Sequence, residues 1–267
     1  MTDSVTCPHQ RAFRGNKDDR YVSRASYSTE QGADEINGLL RSLNLLDNID
    51  WVPPAISFFS RHSSDPAAIL TFTRDLDRLA ASMHIRRLDV TQRIERYGRV
   101  LGAIERAEDL SSPSSPMQLD ADERSTTVTL LDGEIYTVLR LRLYVMLRLD
   151  STLSSGGANY YHPTITVEHV LPQTPKLDSL WRKQFTDDER AHWVHRLANL
   201  VLLTRKKNSE ASNREFDEKK SGYFTGRSGT SPFPLTTQVL QQSTWTPEVL
   251  YARQSMLVRH LKDLWRL

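Results

Sequence analysis

The sequence predicts an α-rich α+β protein, on three observations. Helical spacing of apolar residues dominates positions from about 30 to 150. Two short β-branched runs, Thr164 to Val170 and Asn199 to Thr204, break that pattern only in the last hundred residues. A closing helix is then announced by Thr246-Pro247. The expected organisation is a flexible arm over 1–30, a helical domain over 31–155 and a mixed domain over 156–267. With 267 residues the chain is long enough for one large domain or two ordinary ones.

The first thirty residues are polar and carry no usable period, so they read as an arm ordered only by a partner. Ile36, Leu39, Leu40 and Leu43 then recur at spacings of three and four, on one helical face. Pro53 and Pro54 suit the first turn of a short helix over 51–59. Asp65-Pro66 is an N-cap followed by proline, and Ile69, Phe72, Leu76, Leu79 and Met83 form the stripe it opens. In the next helix Ile94, Tyr97, Leu101 and Ile104 are read inward, with Arg93, Arg96, Arg99 and Arg106 outward. Ser111 to Gln118, SSPSSPMQ, is the clearest linker signal. A helix over 134–149 is apolar almost all round and is read as central. Gly156 and Gly157 mark the loop that follows it.

In the last hundred residues, the first β run ends at Leu171-Pro172. Thr186 to Glu189 is a capping box for a helix reaching about Arg196. The second β run is followed by a charged, helix-compatible stretch over 206–221. Val249, Leu250, Met256, Leu257 and Leu261 stripe the closing helix. The order that matters is strand, strand, helix.

Composition narrows the function classes without choosing one. Lys and Arg number 35 against 33 Asp and Glu, a net charge of +2, so any basic footprint for nucleic acid must be local. Cys7 is the single cysteine, which excludes an internal disulfide framework and a zinc site built from several thiolates. No signal peptide and no run of about 20 apolar residues is visible, and a cytoplasmic protein with no membrane partner is expected.

Chemistry concentrates in four residues. Glu168-His169 ends the first strand, Asn199 opens the second, and Asn208 follows nine residues later. Paired strands and one packed helix would bring them together. A carboxylate and an amide oxygen are hard ligands for Mg²⁺ or Mn²⁺. An imidazole held beside them can act as general base for water. Other features have plainer readings. His192 and His195, three apart, suggest a metal pair but read as a partly exposed helix face. His162 reads as a solvated loop histidine. Arg205, Lys206 and Lys207, with Arg214, Lys219 and Lys220, form a basic cluster suited to a DNA backbone if the site is a phosphodiesterase. Trp181, Trp193 and Trp245 read as core anchors.

The joined segments TVEHVLPQ, RLANLVLLTRKKN and SNREFDEKKSGYF resemble the HNH (ββα-metal) nucleases, and more closely the C-terminal nuclease module of GmrSD-type modification-dependent restriction enzymes. The resemblance covers about 164–224. It implies a helical bundle followed by an HNH-like nuclease domain with a C-terminal helix. It further implies that His169 is the general base, oriented by Asn199, and that Glu168 and Asn208 hold the cation. Arg205, Lys206, Lys207, Asn213 and Lys219 would contact the DNA backbone or brace the helix. Glu stands where Asp is commoner in such nucleases, and Asn stands at the third textual position in place of His. The implied setting is phage defence, together with a ParB-like nucleotidase subunit or N-terminal domain; no P-loop or DGQQR-type motif occurs in this sequence. The competing readings are a helical adaptor that binds DNA or a partner without catalysis, and an HNH-like nuclease acting on RNA.

Overall fold

A computed structural model describes residues 32–154, 165–204, 213–221 and 231–267. The chain divides into two compact units, 1–127 and 128–267. Among the described residues the protein is helix-rich with one two-stranded sheet, consistent with the α-rich α+β class that the patterning predicts. None of the described helices is long and apolar enough to cross a membrane.

In the first unit, α1 (Ala33–Leu43), α2 (Val52–Arg61), α3 (Pro66–Ile85) and α4 (Val90–Glu105) pack as a helical layer. Their starts are written locally. Asp65 accepts the main-chain N–H of Ala68 at 2.9 Å, and Pro66 occupies the first turn. Asp89 and Gln92 close a reciprocal capping box. On α4 the inward residues are Tyr97, Val100, Ala103 and Ile104, whereas Ile94 is 57% exposed. Nor do Arg93 and Arg96 point outward: Arg93 pairs with Asp50 at 2.8 Å, and Arg96 pairs with Glu123. Partly buried ion pairing, which apolar periodicity cannot register, turns these two arginines toward the protein.

The Ser111–Gln118 stretch is likewise no free linker. Met117 is fully buried, Arg96 donates to the carbonyls of Pro116 and Gln118, and the Gln118 amide reaches Asp75. The division of the chain falls inside α5 (Ala121–Leu131), so the helix read as central lies in the second unit.

That helix, α6, spans Leu139–Thr152 and not 134–149; a 3₁₀ turn, Ile135–Thr137, precedes it, and extended Val138 separates the two. Leu139 is 70% exposed, while Leu141 and Tyr144 to Asp150 are buried. β1 (Ile165–His169) pairs antiparallel with β2 (Leu200–Thr204), His169 opposite Leu200 and Glu168 opposite Val201. Between them lie α7 (Leu180–Gln184), α8 (Asp187–Trp193) and a 3₁₀ turn, Leu197–Asn199. The Thr186–Glu189 capping box forms as the sequence indicates. A short α9 (Phe216–Lys219), α10 (Pro234–Leu240) and the long α11 (Pro247–Trp265) complete the unit. Thr246 caps α11, whose buried face is Leu250, Arg253, Gln254, Leu257, Leu261 and Trp265. α6 and α10 pack against the strands. An apolar cluster that includes Val201, Leu203, Trp181, Phe216 and Trp245, joined by Val239 of α10, adjoins the strands.

Candidate functional site

Successive side chains of a strand point to opposite faces, and residues directly paired across an antiparallel ladder share one. Glu168, opposite Val201, therefore lies on the face of the aromatic cluster. His169, opposite Leu200, lies on the other. Two adjacent residues thus carry their functional groups into different surroundings.

Asn199 fixes the end of the hairpin. Fully buried, its Oδ1 accepts the N–H of Leu171 at 2.6 Å and the indole N–H of Trp245 at 3.3 Å. Its Nδ2 donates to the carbonyls of Leu171 and Val194, at 2.9 and 3.0 Å. The Asn199 carbonyl also accepts the N–H of Val170 at 2.9 Å. The side chain does not reach the imidazole. It acts through the backbone, clamping the turn that leaves His169.

Glu168 meets Lys219. The ammonium of Lys219 stands 3.6 Å from the Glu168 carboxylate and donates to the main-chain oxygen of His169 at 2.7 Å. With 1% of its side chain exposed, Lys219 cannot grip a DNA phosphate; it braces the strand end against α9. Burial raises the Glu168 carboxyl above its ordinary value, opposed by Lys219 and by the N–H of His169. Burial also lowers the Lys219 ammonium to about 8, with Glu168 pulling the other way. Desolvation disfavours both charges, while each charge favours the other.

His169 is 4% exposed and sits in a cage of rings. Tyr136 meets it edge-on with centroids 4.0 Å apart, and His195 lies at 5.5 Å. Its Nε2 is 3.4 Å from Nδ1 of His195, and its Nδ1 is 3.4 Å from the amide nitrogen of Gln173. Arg142 lies over the Tyr136 ring at 4.7 Å. Burial first, then the electrostatic influence of the His195 ring, Lys219 and Arg142, lower the imidazole to about 3. It is neutral at physiological pH, so one ring nitrogen carries a free lone pair.

Tyr136, His195 and Gln173 were not singled out by sequence as parts of the site. Gln173 stands four residues from His169, at the end of the EHVLPQ run. Tyr136 and His195 arrive from remote turns, and no local pattern marks them. His192 and His195, read as a partly exposed face of one helix, do not share one: α8 ends at Trp193, and exposed His192 packs edge-on against that indole. Asn213 is exposed, just before the anchored segment in which the Arg214 carbonyl accepts the Trp181 indole N–H at 3.0 Å. Arg205, Lys206, Lys207, Asn208 and His162 lie outside the described residues. Among the described residues no group of three or more His, Cys, Asp or Glu side chains is placed to hold a metal. Glu168 offers a single hard oxygen ligand, which suits a cation that keeps most of its water more than a closed four-ligand site.

The family model for the C-terminal domain of GmrSD restriction endonucleases matches residues 120–260. The matched span includes Tyr136, Glu168, His169, His195, Asn199 and Lys219. No curated protein matches the chain.

Proposed function

Because the chain belongs to the GmrSD restriction endonuclease C-terminal domain family, we propose that the hairpin end around His169 is the active site of an HNH-type (ββα-metal) DNA endonuclease. The observation that carries this reading is a neutral, buried imidazole and, on the preceding residue, a partly buried carboxylate at the end of a two-stranded hairpin, with a short helix bound beneath.

In the proposed reaction His169 takes a proton from water, and the resulting hydroxide oxygen bonds to phosphorus in line with the 3′ oxygen. The bond from phosphorus to that oxygen breaks, leaving a 5′ phosphate and a 3′ hydroxyl once the departing oxygen is protonated. Glu168 and Asn208 are the residues that would hold Mg²⁺ or Mn²⁺, which when bound neutralises charge on the phosphate and the leaving oxygen. Asn199 keeps the strand end in register, and Lys219 sets the height of His169 above α9. Arg205, Lys206, Lys207 and Asn213 are the proposed contacts to the DNA backbone.

The first compact unit is proposed to dock a ParB-like nucleotidase partner, in a cytoplasmic system that restricts phage DNA. Plasmid nicking with Mg²⁺, Mn²⁺ and EDTA tests the central claim. Cation-dependent nicking by the wild type, absent from His169→Ala, is the expected result; cleavage that survives that substitution refutes the site.

A further inference from the structure

The geometry points to His195 as the positioning residue that selects which nitrogen of His169 acts as the base, an inference that rests on the nuclease reading above. A neutral imidazole carries one N–H and one lone pair, and the partner of each nitrogen decides which is which. Nδ1 of His169 faces the amide nitrogen of Gln173 at 3.4 Å. An amide N–H can only donate, so Nδ1 holds the lone pair. The proton then lies on Nε2, aimed at Nδ1 of His195 at 3.4 Å.

The two sides of the ring differ in access in the same sense. Gln173 is exposed, so a water can reach Nδ1 by displacing a surface amide. On the other side Tyr136 fills the space: it stacks on His195 with rings 8° from parallel and abuts His169 at 4.0 Å. His195 is also tied in place by its backbone. Its carbonyl accepts the N–H of Tyr136 at 3.1 Å, and the neighbouring Arg196 guanidinium bonds the Asp132 carbonyl. Gln254 joins the same two segments, donating to the Asp132 carboxylate at 2.9 Å and accepting the N–H of Ala198 at 2.9 Å. An acceptor held this firmly at Nε2 leaves Nδ1 as the nitrogen open to water. His195 never touches the reacting atoms; it acts through His169.

The tautomer can be read directly. In the full chain, with histidine labelled with ¹⁵N, His169 should show Nε2–H coupling and an unprotonated Nδ1 near neutral pH. His195→Leu should give a mixed or reversed tautomer. It should also lower kcat for nicking supercoiled plasmid by about 10–100-fold, the scale seen when an orienting partner is removed, with KM for DNA unchanged. His195→Asn places an amide oxygen near the former Nδ1 and should restore both the tautomer and most of kcat. An Nδ1–H tautomer in the wild type overturns the proposal, as does an unchanged tautomer in a folded His195→Leu. If His195→Leu does not fold, the wild-type spectrum and the His195→Asn variant still decide. If the tautomers behave as stated but the wild type cleaves nothing, the positioning stands and the nuclease reading alone fails.

Discussion

The ammonium of Lys219 donates to the main-chain oxygen of His169 at 2.7 Å, inside the protein and out of reach of any substrate. The same group stands 3.6 Å from Glu168. One cation therefore ties α9 to two consecutive residues of β1, and its removal leaves a partly buried carboxylate uncompensated.

Lys219→Met should destabilise the second unit by about 3 kcal/mol, because breaking a buried pair leaves one charge uncompensated. Adding Glu168→Gln should recover part of that loss, since a neutral amide tolerates the apolar surroundings better. Chemical denaturation of the two single variants and the double variant provides the cycle. Strict additivity would show that the two side chains do not interact.

Asn199 has a structural role that its place in the motif does not reveal. Asn199→Leu fills much of the space but orphans the Leu171 N–H, the Trp245 indole N–H and two carbonyls. At about 1–3 kcal/mol for an unsatisfied buried group, a loss of at least about 3 kcal/mol is expected. Asn199→Asp keeps the acceptor but sets a carboxylate against the Leu171 and Val194 carbonyls, so it should also destabilise. Thermal melts of both variants check this. A stable, inactive Asn199→Leu would instead assign the side chain a direct catalytic role.

How far these features are legible in the sequence depends on the range of the interaction. Asp65, Thr186 and Thr246 cap helices through partners three residues away, so local pattern suffices. The two strands are visible as β-branched or apolar runs, and Glu168, His169 and Asn199 are visible because they end them. What a linear pattern cannot carry is who meets whom. Lys219 reads as one more cation in a basic stretch until α9 turns it inward. Arg93 and Arg96 read as surface until Asp50 and Glu123 come within reach. Tyr136 and His195 are far from His169 in the chain, and only the tertiary fold places them around its ring. The helices α7 and α10 have five and seven residues, too short to establish a period.

The imidazole of His169 supplies a pH prediction. Its folded value, about 3, lies below the ordinary 6.5 of an unfolded histidine. Folding then favours the neutral form, so its contribution to stability is complete above pH 6.5 and is lost as pH falls toward 3. A divalent cation at Glu168 would push the imidazole further in the same direction. The His169 ring protons should show no titration shift between pH 8 and pH 5, and His169→Gln should flatten the acid side of the stability profile. A midpoint near 6.5 would mean the ring is solvated.

Glu168 and His169 are adjacent, yet they occupy opposite faces of the strand and should fail in different ways. Removing the base alters the chemical step at every cation concentration, so His169→Ala should lower the saturated rate by about 10²–10⁴-fold. Removing the carboxylate weakens retention of the cation, so Glu168→Gln should shift the Mg²⁺ or Mn²⁺ dependence to higher concentration, with part of the rate recovered at saturation. Mn²⁺ should rescue better than Mg²⁺, because it accepts nitrogen and distorted oxygen ligands that Mg²⁺ rejects. EDTA should abolish nicking without unfolding the chain, whose hairpin end is held by Asn199, Lys219 and the aromatic cluster. Titration of the cation against initial nicking rates for the wild type and both variants separates the two roles. If Glu168→Gln loses rate at saturation with no shift in cation dependence, Glu168 does not hold the metal, and its carboxylate serves only the ion pair with Lys219.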